Sequence, residues 1–146
     1  MMRHQRQQLG FSLLELLMVV AIIGVIASIA LPRLSVARKQ SLESSAVGNV
    51  RTLITAQWSY LHAKGHGSEF ADLTGLVSNS IIDTTFTGNK GDYTFEITQT
   101  RGLGSFDIKA SPQSPGMRWF FASEDGRILV NTVDDVNTAY PLPRLT

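Results

Sequence analysis

An α+β fold is predicted for this chain. It is a long amino-terminal α-helix, membrane-spanning in its first half and amphipathic in its second, packed on a carboxy-terminal antiparallel β-sheet of three to four strands. Three observations predict it. The run from Phe11 to Pro32 is almost wholly apolar. Leu42, Ala46, Val50, Leu53, Ile54, Trp58 and Leu61 then recur at three- and four-residue steps, the period of a helix with one buried face. After Asn89 the pattern changes to short stretches of alternating apolar and polar residues separated by turn signals, the signature of half-buried strands. The implied segments are 1–10, 11–32, 33–64 and 65–146.

Bulk properties narrow the function classes. At 146 residues the chain holds one modest domain beside the apolar run. Formal net charge is +1, so nucleic acid is not indicated as a partner. There is no cysteine, hence neither disulfide nor thiolate chemistry.

Residues 1–10, Met-Met-Arg-His-Gln-Arg-Gln-Gln-Leu-Gly, are polar and basic with no apolar stretch of their own. An ordinary secretory signal is cut after its apolar region. Here the small residue Gly10 comes before it, where glycine leaves a protease an unhindered backbone. The alternative is an uncleaved cytoplasmic tail. From Leu16 to Leu31 only Ser28 is appreciably polar. With Phe11 to Leu14 the run approaches the ~20 residues that span ~30 Å of hydrocarbon. Arg3 and Arg6 precede it, which predicts a cytoplasmic amino end and a periplasmic remainder. Gly24, Ala27, Ser28 and Ala30 permit close helix approach. Pro32 predicts a kink, or a melted stretch between Gly24 and Pro32 once copies assemble.

Glu15 is the anomaly. A carboxylate deep in hydrocarbon costs roughly 2.5 kcal/mol or more unless neutral, paired or near the interface. One reading has it solvated at the membrane surface. The other makes it a docking charge. Cleavage before Phe11 would create a cationic amine four residues away, about 6 Å along a helix axis. Between staggered copies, the carboxylate of one would neutralise the amine of the next and fix their register, because an unpaired buried charge is strongly penalised.

Gly10, then Phe11, then Glu15 four residues on, all ahead of this apolar run, resembles the amino terminus of type IV pilins and of the related type II secretion pseudopilins. The resemblance covers about a fifth of the chain. It implies a pilin fold, cleavage between Gly10 and Phe11 by a prepilin peptidase, N-methylation of Phe11 and a docking role for Glu15. It also implies other pilin copies, with or without minor pilins, as partners, together with a membrane platform, its assembly ATPase and the lipid bilayer before assembly. The destination would be an extracellular pilus or a periplasmic pseudopilus. Many pilins are held to close a carboxy-terminal loop with a disulfide, which a chain without cysteine lacks.

The second half of the helix is expected to turn Arg38, Lys39, Glu43, Asn49, Arg51 and Gln57 to solvent, to place Trp58 and Tyr60 in the core or at its edge, and to end at Gly65 and Gly67. Phe70, Leu73, Leu76 and Val77 have the spacing of a short helical turn. Asn89–Asp92 reads as a turn. Strands follow at Tyr93–Thr98, Phe106–Ala110, Arg118–Ser123 and Arg127–Asn131, and 132–146 is expected to be irregular.

No catalytic set emerges. Ser111, Ser114 and the three histidines form no nucleophile–base arrangement, and no phosphate-cradling glycine loop is present. His62 and His66 straddle Gly65, which argues against a shared helical metal face. Calcium at Asp125, Asp134 and Asp135 is outweighed by a turn at Asp125-Gly126 and a solvated pair at Asp134-Asp135. The expectation is therefore a non-enzymatic filament subunit with no cofactor and no metal. A monomeric bitopic binding protein explains the apolar run but neither Gly10 nor Glu15, and a secreted enzyme explains neither.

Overall fold

A computed structural model describes residues 11–64, 69–100, 104–136 and 139–141. Helix α1 (Leu13–Ala63) contributes to both of the chain's compact units, one up to Arg38 and the other from Lys39 onward.

In the first unit, every large apolar side chain from Leu13 to Leu31 is exposed, including Leu13 at 83%. By length and composition the helix suffices to cross a membrane, and none of its most apolar window is buried. Ser28 donates its hydroxyl to the Val25 carbonyl (2.7 Å), which satisfies it without an external partner. Helical residues continue on both sides of Pro32, so the helix does not stop at Leu31. Proline has no N–H to offer the Ser28 carbonyl one turn back.

In the second unit, α1 presents Ala46, Val50, Leu53, Ala56 and Leu61 to the inner face of a six-stranded antiparallel meander. Its strands are β1 (Asn89–Lys90), β2 (Tyr93–Thr100), β3 (Ser105–Pro112), β4 (Trp119–Ser123), β5 (Ile128–Asn131) and β6 (Tyr140–Pro141), paired in chain order. Alternation sets the inner face: Phe106, Ile108 and Ala110 of β3 are buried between the half-buried or exposed Ser105, Asp107 and Lys109. Phe120 and Ala122 of β4 sit opposite Ala110 and Ile108, so the aromatic and aliphatic inner residues stack in rows over the helix. Helix α2 (Leu73–Ser78), capped by Asp72 Oδ1 on the Gly75 N–H (2.7 Å), adds the fully buried Leu76.

The expected four strands are all present, extended by two short edge strands. Asn89–Asp92, read as a turn, is itself the start of a hairpin. Gly91 (φ 63°) and Asp92 (φ 70°) form the two-residue loop with both φ positive that twisted strands favour, and it brings Lys90 opposite Tyr93. The stretch read as irregular from 132 onward contains β6, whose Tyr140 and Pro141 pair with Val130 and Leu129. Pro141 is tolerated because β6 lies at the sheet edge. The helix end at Gly65 and Gly67, His66 and most of the Arg101–Ser105 turn lie outside the described residues.

Candidate functional site

The structure places the sequence-predicted residues as follows. Gly10 lies outside the described residues. Phe11 precedes the first turn of α1 and is 80% exposed. Ser12 accepts the first helical bond, from the Leu16 N–H (3.2 Å), so it stands at the N-cap. Glu15 is therefore the third helical residue, exposed in the first turn. There a carboxylate is favoured by the partial positive charge of the helix amino end. Ser12-Leu13-Leu14-Glu15 also has the spacing of a capping box. Gly24 sits on an open helix face, where an added Cβ would meet nothing within 4 Å. Nothing among the described residues requires a glycine there.

The apolar surface from Leu13 to Leu31 has no partner among the described residues. At about 1.5–3 kcal/mol for each large side chain removed from water, the unspent hydrophobic drive is on the order of 20 kcal/mol or more. Such a surface is stable only in lipid or against other helices.

The second unit holds the helix by polar clamps that the sequence reading missed. Glu43 and Gln57, expected on the solvent side, are 8% and 0% exposed. Glu43 accepts from the Arg118 backbone N–H (3.0 Å), from Nε (2.9 Å) and from the guanidinium terminus (2.7 Å), a fork that ties α1 to the start of β4. The bond to Glu43 pushes the Arg118 guanidinium still higher above neutrality. One turn earlier, Lys39 Nζ donates to the Pro115 carbonyl (3.1 Å). Gly116 has φ 74°, and a Cβ there would press on Lys39 Nζ at 3.2 Å. The buried Tyr93 closes the same loop by donating its hydroxyl to the Arg118 carbonyl (2.7 Å). Burial, reinforced by the Glu43 charge, raises the Tyr93 phenol well above its ordinary range. Gln57 binds both the N–H (3.0 Å) and the carbonyl of Ala71. The spacing Glu43, Ala46, Val50, Leu53, Gln57, Leu61 carried the signal, since both polar residues fall on the apolar stripe. Trp58 is 41% exposed and packs edge-on to Phe70, which puts it at the core edge as expected.

The carboxylates weighed for calcium perform local tasks. Asp125 Oδ1 accepts from the Arg127 N–H (2.9 Å) and the Ser123 hydroxyl (3.1 Å), closing the β4–β5 turn at Gly126 (φ 73°). Asp134 pairs with Lys109 (3.1 Å). His62 lies against the Trp58 carbonyl (2.7 Å).

The arrangement is an exposed apolar helix with a first-turn glutamate, continued by a helix-on-sheet domain. Residues 5–31 match the prokaryotic N-terminal methylation motif. The chain is 41% identical over 74 residues to the type IV major pilin protein PilA of Myxococcus xanthus, covering 51% of this chain and 34% of that protein. It is 41% identical over 83 residues to the type IV major fimbrial protein FimA of Dichelobacter nodosus, covering 55% of this chain and 50% of that one. The matched part thus spans half or less of these relatives' length. No solved structure matches. Over about half of its length the chain is similar to type IV major pilins, and its residues 5–31 carry the methylation motif.

Proposed function

We propose that this chain is the structural subunit of a type IV pilus-like filament. The observation that carries the reading is the wholly exposed apolar half of α1 with Glu15 in its first turn. Both named relatives are major pilins, which favours a pilus over a secretion pseudopilus. In this reading a prepilin peptidase cuts between Gly10 and Phe11 and methylates the Phe11 amine. The precursor sits in the inner membrane with its amino end cytoplasmic and its sheet domain periplasmic. A platform protein and its ATPase then move subunits from lipid into the filament, where the helices exchange acyl-chain contacts for one another. Glu15 of one copy neutralises the amine of another and sets the axial register. Gly24 and Pro32 are where α1 bends or opens to fit its neighbours, since Pro32 already costs one helical bond.

Glu15→Ala tests the mechanism. The processed variant accumulates in the membrane, and filament yield, measured by shearing and sedimentation, falls at least about tenfold, the equivalent of ~1.4 kcal/mol per docking event or more. Normal yield and normal subunit spacing for Glu15→Ala contradict the docking role.

A further inference from the structure

The helix just past the apolar run carries a feature that filament packing does not use in the reading above. Arg33 and Arg38 are exposed, and among the described residues neither side chain has an ion-pair or hydrogen-bond partner. No carboxylate lies on α1 between Glu15 and Glu43, and Glu43 is occupied by Arg118. Exposed apolar residues alternate with these cations, Leu34 at 67% and Val36 at 56%. A shallow groove on this stretch is lined by Ala27, Ala30, Leu31, Arg33, Leu34 and Ala37.

We infer that the segment from Ala27 to Arg38 is a binding site for anionic phospholipid in the leaflet where the apolar run ends. It rests on the membrane-inserted precursor of the preceding subsection. Residue spacing places the parts. An acyl chain fits along Ala27, Ala30 and Leu31, before Arg33 and at hydrocarbon depth. Arg33 lies one position after Pro32, at the level of headgroup phosphates, which a guanidinium binds with two parallel N–H donors. Arg38 lies ~7.5 Å further along the axis, still within reach of the headgroup layer. Leu34 and Val36, just beyond Arg33, lie within the headgroup layer, where apolar residues alternating with cations are the pattern of an interfacial segment. Orientation sharpens the argument. Two arginines precede the span and three cations, Arg33, Arg38 and Lys39, follow it within eight positions. Lys39 is bound to the Pro115 carbonyl, but Arg33 and Arg38 cross the bilayer uncompensated and need anions on the far side. The lipid thereby holds the precursor at a fixed depth and is released when the subunit enters a filament.

The test uses the full chain in bilayers of phosphatidylcholine with phosphatidylglycerol, doped in turn with spin-labelled versions of each lipid. The motionally restricted component gives the relative association constant of the anionic over the neutral lipid. The expected ratio is about threefold or more at low salt, falling toward one at high salt. It falls toward one in R33Q/R38Q, stays high in R33K/R38K and is unchanged in R51Q/K64Q, which removes an equal charge from exposed positions of the sheet domain's unit. A restricted component that does not distinguish the two lipids, or a preference that survives R33Q/R38Q, overturns the site while leaving membrane insertion intact. No restricted component with either lipid overturns the membrane-inserted precursor, and the site with it.

Discussion

Glu43 shows how one side chain couples a helix to a sheet. Its two oxygens receive three donors from Arg118, and the carbonyl of that same arginine accepts from Tyr93. Removing one partner of a mostly buried pair costs more than the pair contributes, because the other is left without its counter-charge. Arg118 is partly exposed, which softens the penalty. Glu43→Ala is expected to destabilise the sheet domain by about 2–3 kcal/mol, and Glu43→Gln, which keeps an acceptor for the Arg118 N–H, by roughly half as much. Urea unfolding followed by Trp fluorescence measures both; equal, near-zero losses would deny the clamp. Tyr93 predicts an alkaline limit. Its phenol titrates higher in the folded chain than in the unfolded one, so its contribution is complete below about pH 10 and is lost as pH rises beyond it. The midpoint of urea unfolding should fall above pH 10 in the native chain and less steeply in Tyr93→Phe, whose stability at neutral pH is lower by about 1 kcal/mol for the lost hydrogen bond. At this scale the sequence was legible where chemistry and position agree, as at Trp58, whose place on the apolar stripe put it at the core edge against Phe70. It misled at Glu43 and Gln57, where residue type suggested solvent and helical spacing indicated the core. Burial depended on partners, Arg118 and Ala71, that lie 75 and 14 residues away.

At the scale of elements, α1 joins two environments. No residue before Glu43 is buried among those described, and the core cluster begins at Ala46. A fragment of residues 38–146 therefore retains Lys39, Glu43 and the whole core. It should be a monomer that unfolds cooperatively in calorimetry; a molten or aggregated fragment would show that the sheet domain needs the first half of α1. Apolar runs and three- and four-residue spacing made both halves of the helix readable, and alternation made β2 to β5 readable. β1 and β6 were not. Two residues are too few for periodicity, and each exists because a neighbouring strand offers a free edge: β1 through the Gly91-Asp92 loop, β6 through the exposed side of β5.

At the scale of the whole molecule, one unit is a helix-on-sheet domain, and the apolar helix of the other has no partner among the described residues. The exposed run from Leu13 to Leu31 needs lipid or other helices to cover it, and the methylation motif over residues 5–31 with the similarity to major pilins supports the proposed path from lipid into a filament. On the proposed path the new terminal amine is the event on which the later steps would depend, because without it Glu15 would have no docking partner. The most direct measurement is the intact mass and amino-terminal sequence of the protein recovered from sheared filaments or its native membrane. The account predicts a chain that begins at N-methylated Phe11. A chain in assembled filaments that still begins at Met1 or Met2, or one cut beyond Ala30, would contradict it.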